Sequence, residues 1–326
     1  MQPIGVLLPT RNSMSLLPRH VETMRGWLDL AQEIVVVDSE SSDGTVEFLR
    51  KQLPAEKTRF FSHPPGLYQS WNFGVRQISA RYTYVSTVGD EMSCEGFTHL
   101  AEVAERFSCD VVISPPIFIA ENGKPIRANP WPVHEIISLW DLKNEVCIEG
   151  ILPFAMALSF LPFALLGSSA SNLYRTAALQ QNPFPTDFGL NGDGAWGFLN
   201  ALTTRFGITP RPVSNFRKHR KVYRRAEYAT VDPDQRLLDA GLKQLAETLK
   251  VRPEMRAQAA QVRLESFIQQ KFAVQLWREK LRYYRRWPCS WFFNPLAWHA
   301  RFRRNVAHAQ GKQLLKAILA LPKAHG

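Results

Sequence analysis

Five short strand-like runs, punctuated by helical stretches and by acids at their carboxyl ends, constrain this fold more than any other feature. The runs are Ile4 to Leu8, Glu33 to Val37, Thr58 to Ser62, Tyr82 to Thr87 and Asp110 to Ser114. Helical composition fills the gaps at Ser15 to Leu30, Gly44 to Gln52, Tyr68 to Ser79 and Cys94 to Phe107. Strict alternation of strand and helix predicts βαβ units and a mostly parallel sheet with helices on both faces. Strands that are apolar at successive positions suit a sheet covered on both sides.

With 326 residues the chain has room for one substantial domain and an appendage. We expect an α/β domain over residues 1–230, made of a ligand-binding half (1–115) and a second half (116–230), followed by a helical region over 231–326. Ile151 to Leu166 is apolar apart from Ser159, but it is shorter than the ~20 residues a spanning helix needs and contains Pro153 and Pro162. A core segment or a lid is the better expectation. Farther on, Ile268, Phe272 and Leu276 recur at helical spacing, and Trp277, Leu281 and Tyr284 continue the stripe.

Charge is distributed unevenly. From Val251 onward there are 15 Lys and Arg against 3 Asp and Glu, a net +12 against the whole chain's formal +11, so the first 250 residues sum to −1. A neutral body offers no continuing basic surface for nucleic acid. Cys94, Cys109, Cys147 and Cys289 show no CxxC pair and no histidine at ligand spacing, which gives no zinc site and no disulfide framework. Met1 runs directly into Gly5-Val6-Leu7-Leu8 with no charged leader, so a cytoplasmic location is expected, peripheral at the inner face of a membrane if the tail binds lipid.

In an open α/β sheet, ligands sit beyond the carboxyl ends of the strands. Pro9-Thr10-Arg11-Asn12 follows the first strand, and Asp38-Ser39-Glu40-Ser41-Ser42-Asp43-Gly44-Thr45 follows the second. An Asp at such an end can accept from a base N–H, while Asp43 suits either a helix cap or a pocket wall. Gly89-Asp90-Glu91 follows the fourth strand, and adjacent carboxylates there suit Mg²⁺ or Mn²⁺ bridging a diphosphate.

These segments resemble family 2 glycosyltransferases of the GT-A fold. Pro9-Thr10-Arg11-Asn12 is similar to the family's opening Pro-Thr-(Tyr/Arg)-Asn, and Val35-Val36-Val37-Asp38 with Ser42-Asp43-Gly44-Thr45 to its second-strand motif. Gly66-Leu67-Tyr68-Gln69-Ser70-Trp71-Asn72-Phe73-Gly74 resembles a stretch seen in bacterial exopolysaccharide and lipopolysaccharide biosynthesis members. The order of these motifs over about the first 115 residues is more specific than any one of them.

The resemblance implies transfer of a sugar, inverting, from a nucleoside diphosphate sugar, with a UDP-sugar favoured, to a hydroxyl of a glycan or lipid-linked acceptor in cell-envelope polysaccharide biosynthesis. Pro9, Thr10, Asn12, Asp38, Asp43, Tyr68, Asn72, Gly89 and Asp90 would bind the donor. A divalent Mn²⁺ or Mg²⁺ would be held by Asp90 or Glu91, with His219 completing its shell. The family's Asp-x-Asp reads Gly89-Asp90-Glu91 here, so the first carboxylate is missing. Asp193, between Gly192 and Gly194 ahead of a helical stretch, would be the general base. Ser168 to Arg175 would shape the donor-sugar pocket, and the basic neighbours of His219, Phe216 to Arg220, would hold the diphosphate. A GT-A-like binding protein of weak activity, docking a membrane or partner, is the alternative.

In the tail, Trp277, Tyr283, Tyr284, Trp287, Trp291, Phe292, Phe293 and Trp298 are interleaved with arginines from Arg278 to Arg304. That pattern suits either an anionic membrane surface or aromatics packed on the body beneath arginine stems.

Overall fold

A computed structural model describes residues 3–161, 163–218, 233–285 and 294–320. The chain runs β1 (Ile4–Thr10), α1 (Leu17–Met24), β2 (Glu33–Asp38), α2 (Thr45–Gln52), β3 (Thr58–Ser62), α3 (Leu67–Gln77) and β4 (Tyr82–Val85). These elements correspond closely to the expected alternation. The first helix is the exception. It stops at Met24 instead of running to Leu30, because Gly26 interrupts it and Trp27 turns inward to stack on Phe97 at 4.9 Å.

Next come β5 (Glu91–Met92), α4 (Cys94–Phe107), β6 (Val111–Ile113), β7 (Ile117–Ile119), α5 (Pro132–Trp140), β8 (Val146–Ile148) and α6 (Ile151–Phe160). The second half closes with β9 (Asn172–Arg175), α7 (Thr176–Gln181), α8 (Gly192–Leu199), β10 (Phe206–Ile208) and β11 (Ser214–Arg217). An eight-stranded sheet has the order β3-β2-β1-β4-β9-β6-β10-β8. Pairs among β3, β2, β1 and β4 are parallel, as is β6 with β10, whereas β9 and β8 run antiparallel. Side-chain alternation divides the core: Leu7, Val35, Val37 and Val85 face one apolar cluster, and Val6, Leu8, Ile34 and Val36 the other.

A smaller sheet, β5-β11-β7, stands beside the large one. Its pairing sets Glu91 opposite Asn215 and so carries the segment after β4 against the end of the second half.

The apolar segment from Ile151 forms a ten-residue core helix, with nine of its residues buried. No helix among the described residues is long and apolar enough to cross a membrane. The C-terminal elements are α9 (Pro233–Val251), α10 (Glu254–Gln261), α11 (Leu264–Arg285) and α12 (Pro295–Leu319). Leu237, Leu264, Phe267 and Leu315 join the same apolar cluster as α6. The expected stripe is only partly the buried one: Leu281 is buried and Ile268 packs on the core, but Phe272 and Leu276 are exposed, and α11 also buries Leu264 and Phe267. Trp277 packs against α12, with its ring 5.5 Å from that of His299 and the Arg303 guanidinium 5.6 Å above it. Trp287, Trp291, Phe292 and Phe293 lie outside the described residues.

Candidate functional site

The carboxyl ends of β1 and β2 are laced together by their own side chains. Thr10 Oγ1 donates to Asp38 Oδ1 at 2.8 Å, and Ser41 donates to the same carboxylate through its hydroxyl at 2.6 Å and its N–H at 2.8 Å. Asn12, in a left-handed conformation at φ 46°, donates its N–H to Ser41 Oγ and accepts at Oδ1 from the Ser42 N–H. Asp43 does not cap α2 as an N-cap residue, since that position is Gly44 in a left-handed turn. Its carboxylate instead accepts from the Thr45 hydroxyl and from the N–H of Met14, and these bonds hold it below the usual carboxylate range. Pro9, Thr10, Asn12, Asp38 and Asp43 therefore line one rim, with Asp38 buried and Asn12 and Asp43 open to solvent. An ionised carboxylate has about four acceptor sites, so Asp38 keeps capacity for a ligand N–H.

Past β4 the chain turns at Gly89, whose φ of 107° favours glycine. Buried Asp90 accepts the Arg217 N–H at Oδ1 (3.0 Å) and the Ser168 hydroxyl at Oδ2 (3.4 Å). Burial pushes this carboxyl up to about 7, only partly opposed by those donors. Behind it, burial lowers the His20 imidazole to about 4. The neutral ring donates from Nδ1 to the Asp90 carbonyl and faces Ser86 Oγ through Nε2, each at 3.0 Å. Nothing in the sequence singled out His20, because its partners lie about 70 residues away.

Glu91 is not placed to hold a metal. Its carboxylate pairs with Arg217, with Arg19 at 3.1 Å and with the Asn215 amide at 3.0 Å. Arg217 is equally committed: only 4% exposed, it also donates to the carbonyls of Gly89, Ala120 and Glu121. Its guanidinium is therefore a buried clamp between the Gly89 turn and the strands of the smaller sheet. Glu91→Gln is expected to lower stability by about 2 kcal/mol, because it strips a charge partner from a buried guanidinium. A thermal melt checks this, and an unchanged midpoint would show that the pairing contributes nothing.

Asn72 is also occupied. Its amide donates to the Phe184 carbonyl and accepts from the Phe184 N–H, at 2.8 and 2.9 Å, which pins α3 to the segment before α8. One N–H and one acceptor site of the Asn72 amide are thereby committed to the protein. Gly74 brings α3 down onto the sheet, since a Cβ there would lie 2.3 Å from Leu7 Cδ1.

Asp193 sits in the first turn of α8. Oδ1 accepts the Tyr68 hydroxyl at 3.0 Å and the Gly194 N–H at 2.8 Å, and Oδ2 accepts the Ser169 hydroxyl at 3.2 Å. Burial raises its pKa, and these three donors pull the other way. The flanking glycines serve packing within the protein: a Cβ on Gly192 would meet the Tyr68 ring at 2.4 Å, and one on Gly194 would meet Ala164 at 2.7 Å. Ser168 and Ser169, consecutive in sequence, thus bond Asp90 and Asp193 respectively. A buried carboxylate with a raised pKa, oriented by the Tyr68 and Ser169 hydroxyls, is chemically suited to accept a proton.

A divalent ion would find a limited set of ligands. Among the described residues no three His, Cys, Asp or Glu side chains cluster as a metal cage, and His219 lies outside them. Asp90 Oδ2, held only by Ser168, fits a Mg²⁺-type ion that takes one carboxylate and otherwise substrate phosphates.

Residues 5–158 match the family model described as glycosyl transferase family 2. No curated protein matches the chain. Solved structures of S. aureus TarS are similar to it. TarS 1-349 in complex with UDP-GlcNAc has a TM-score of 0.53 at 17% identity, covering 96% of this chain and 91% of that one. The complex of the same segment with UDP gives 0.51 at 17%, covering 96% and 90%. A longer TarS structure gives 0.51 at 18%, covering 96% of this chain and 55% of that one. At such identities the likeness concerns the fold.

Proposed function

We propose, for a chain whose residues 5–158 match the family 2 glycosyl transferases, that it transfers a sugar from a UDP-sugar to an acceptor hydroxyl with inversion, and that Asp193 is the base. The observation that carries this reading is the Asp193 carboxylate, oriented by Tyr68 and Ser169 and joined through Ser168 to Asp90. Asp193 takes the hydroxyl proton as the acceptor oxygen bonds to the anomeric carbon. The bond from that carbon to the diphosphate breaks in line, and its electron pair leaves with the nucleoside diphosphate. Charge accumulates on the departing phosphate, where a divalent ion held by Asp90 would neutralise it.

The donor base and ribose are assigned to the rim of Thr10, Asn12 and Asp38. UDP and UDP-GlcNAc bound to the TarS structures support a uridine donor. The test is a binding screen of sugar nucleotides by calorimetry, with and without Mn²⁺. Asp38→Asn is expected to weaken binding of the best donor by roughly tenfold, the value of one charge-assisted hydrogen bond. If no sugar nucleotide binds under either condition, the transferase reading fails.

The acceptor is assigned to the glycan or lipid-linked class, with the protein peripheral at a membrane. Exposed Phe272, Leu276, Tyr283, Leu296, Trp298 and Phe302 on the arginine-rich pair α11 and α12 support this. Sedimentation with anionic vesicles at low and high salt tests it: retention at low salt only is expected, and no retention at either would remove the membrane surface.

A further inference from the structure

Between α5, α6, α11 and α12 lie two cavities of about 200 Å³ each, which share Phe163, Lys271, Val274 and His308 in their walls and so form one cleft. Its interior is apolar, with Leu158, Phe160, Phe267, Val274 and Leu315 along the walls and Phe163, 67% exposed, at the mouth. Its rim is cationic. Lys271, Arg278, Arg304 and Lys312 line it, against the single carboxylate of Glu135, which pairs with Lys312 at 2.5 Å. These cations have partners within the protein, such as the Leu161 carbonyl for Lys271, and the cavity walls carry four Lys and Arg side chains against one carboxylate. Burial first, then Arg304, Lys271 and Lys312, hold the His308 imidazole below its ordinary value.

Gly311 is a second, independent observation. It stands in the interior of the 25-residue α12, where glycine is disfavoured, and lines the cleft with nothing within 4 Å of where its Cβ would be. The space a side chain would fill is left open to the cleft. The mouth is also close to the proposed chemistry: Phe163 enters the cleft, and the next residue, Ala164, packs on Gly194 beside Asp193.

We propose that this cleft binds the apolar chain of a lipid phosphate, with the cationic rim holding its phosphate, and that the acceptor is a glycan carried on such a lipid, with a sugar hydroxyl of that glycan as the nucleophile. An apolar slot with a rim of convergent cations matches a long-chain phosphate ester and neither a neutral lipid nor a free phosphate. The acceptor role rests on the transferase reading, whereas binding does not.

Calorimetry with the full chain and dodecyl phosphate below its micelle concentration tests the binding, with dodecyl maltoside and inorganic phosphate as the neutral-chain and free-phosphate arms. Dodecyl phosphate is expected to bind, and at least about tenfold more tightly than either control. Gly311→Phe is expected to fill the slot and weaken binding about tenfold or more while the melting temperature holds or rises. If that variant melts early, Lys312→Glu at the half-exposed rim replaces it, with the same loss expected. Equal binding of dodecyl phosphate and either control, or unchanged binding in the variant that folds, overturns the proposal. Asp193→Asn is expected to bind dodecyl phosphate like the natural chain, so loss of transfer and loss of lipid binding are separately visible.

Discussion

Asparagine in place of Asp193 is expected to reduce sugar transfer by about 10²- to 10⁴-fold, the usual contribution of a positioned base, and to leave donor affinity nearly unchanged. The substitution keeps the size of the side chain and an acceptor for the Gly194 N–H, but it removes the carboxylate able to take a proton. The pH profile carries a second signature. Because burial raises the Asp193 pKa, and a base works only when deprotonated, the acidic limb of transfer should lie above the ordinary carboxylate value near 4. The Tyr68 hydroxyl favours the ionised form, so Tyr68→Phe should move that limb higher still. Steady-state transfer measured from pH 5 to pH 9 on the three proteins checks both expectations. Full activity in Asp193→Asn would place the base elsewhere.

A different variant is expected to gain stability. Asp90 has its folded pKa raised from 3.8 to about 7. A raised carboxyl makes its contribution to stability below the unfolded value and loses it as pH rises through the folded one. Between pH 4 and pH 7 the fold should therefore lose about 4 kcal/mol to this group, at ~1.4 kcal/mol per pH interval of one. Asp90→Asn does not ionise, and its side-chain oxygen still accepts the Arg217 N–H. In the presence of a chelator it should match the natural chain at pH 4 and melt roughly 5–10 °C above it at pH 8. Adding Mn²⁺ with UDP at pH 8 should raise the melting temperature of the natural chain and not that of the variant, since a ligand that binds only the folded state stabilises it by mass action. A natural chain with a flat melting profile between pH 5 and pH 8 would overturn the assignment of the raised carboxyl.

Asp38 stood out in the sequence because it ends an apolar run before a serine-rich turn, and Asp193 because it stands between glycines ahead of a helical stretch. The strands were readable from such runs, and β2 and β3 begin where their apolar runs begin. What each residue touches was not readable. The Tyr68 to Asp193 bond spans 125 positions and the Asn72 to Phe184 clasp 112, and neither leaves a periodic trace. Glu91 beside Asp90 looked like a second metal ligand because adjacent carboxylates are ambiguous until their cations are known, and Arg217 lies 126 residues away. On α11 the pattern failed differently. Within the expected stripe Leu281 is buried with Leu264 and Phe267 while Phe272 and Leu276 are exposed, and helical spacing alone does not say which positions meet the body.

Ser168 and Ser169 have a consequence for anyone recombining this enzyme. One dipeptide supplies a hydroxyl to Asp90 and another to Asp193, so on the proposed reading the donor and acceptor sides share one stretch of backbone. On that reading, grafting residues 3–161 onto a foreign second half is expected to change donor and acceptor chemistry together, because the seam between parents would fall upstream of the serines that bond both carboxylates. Donor and acceptor preferences in such hybrids should be inherited as one trait, and crossover points on either side of Ser168 and Ser169 should give the same pairing of preferences only when both serines come from this parent.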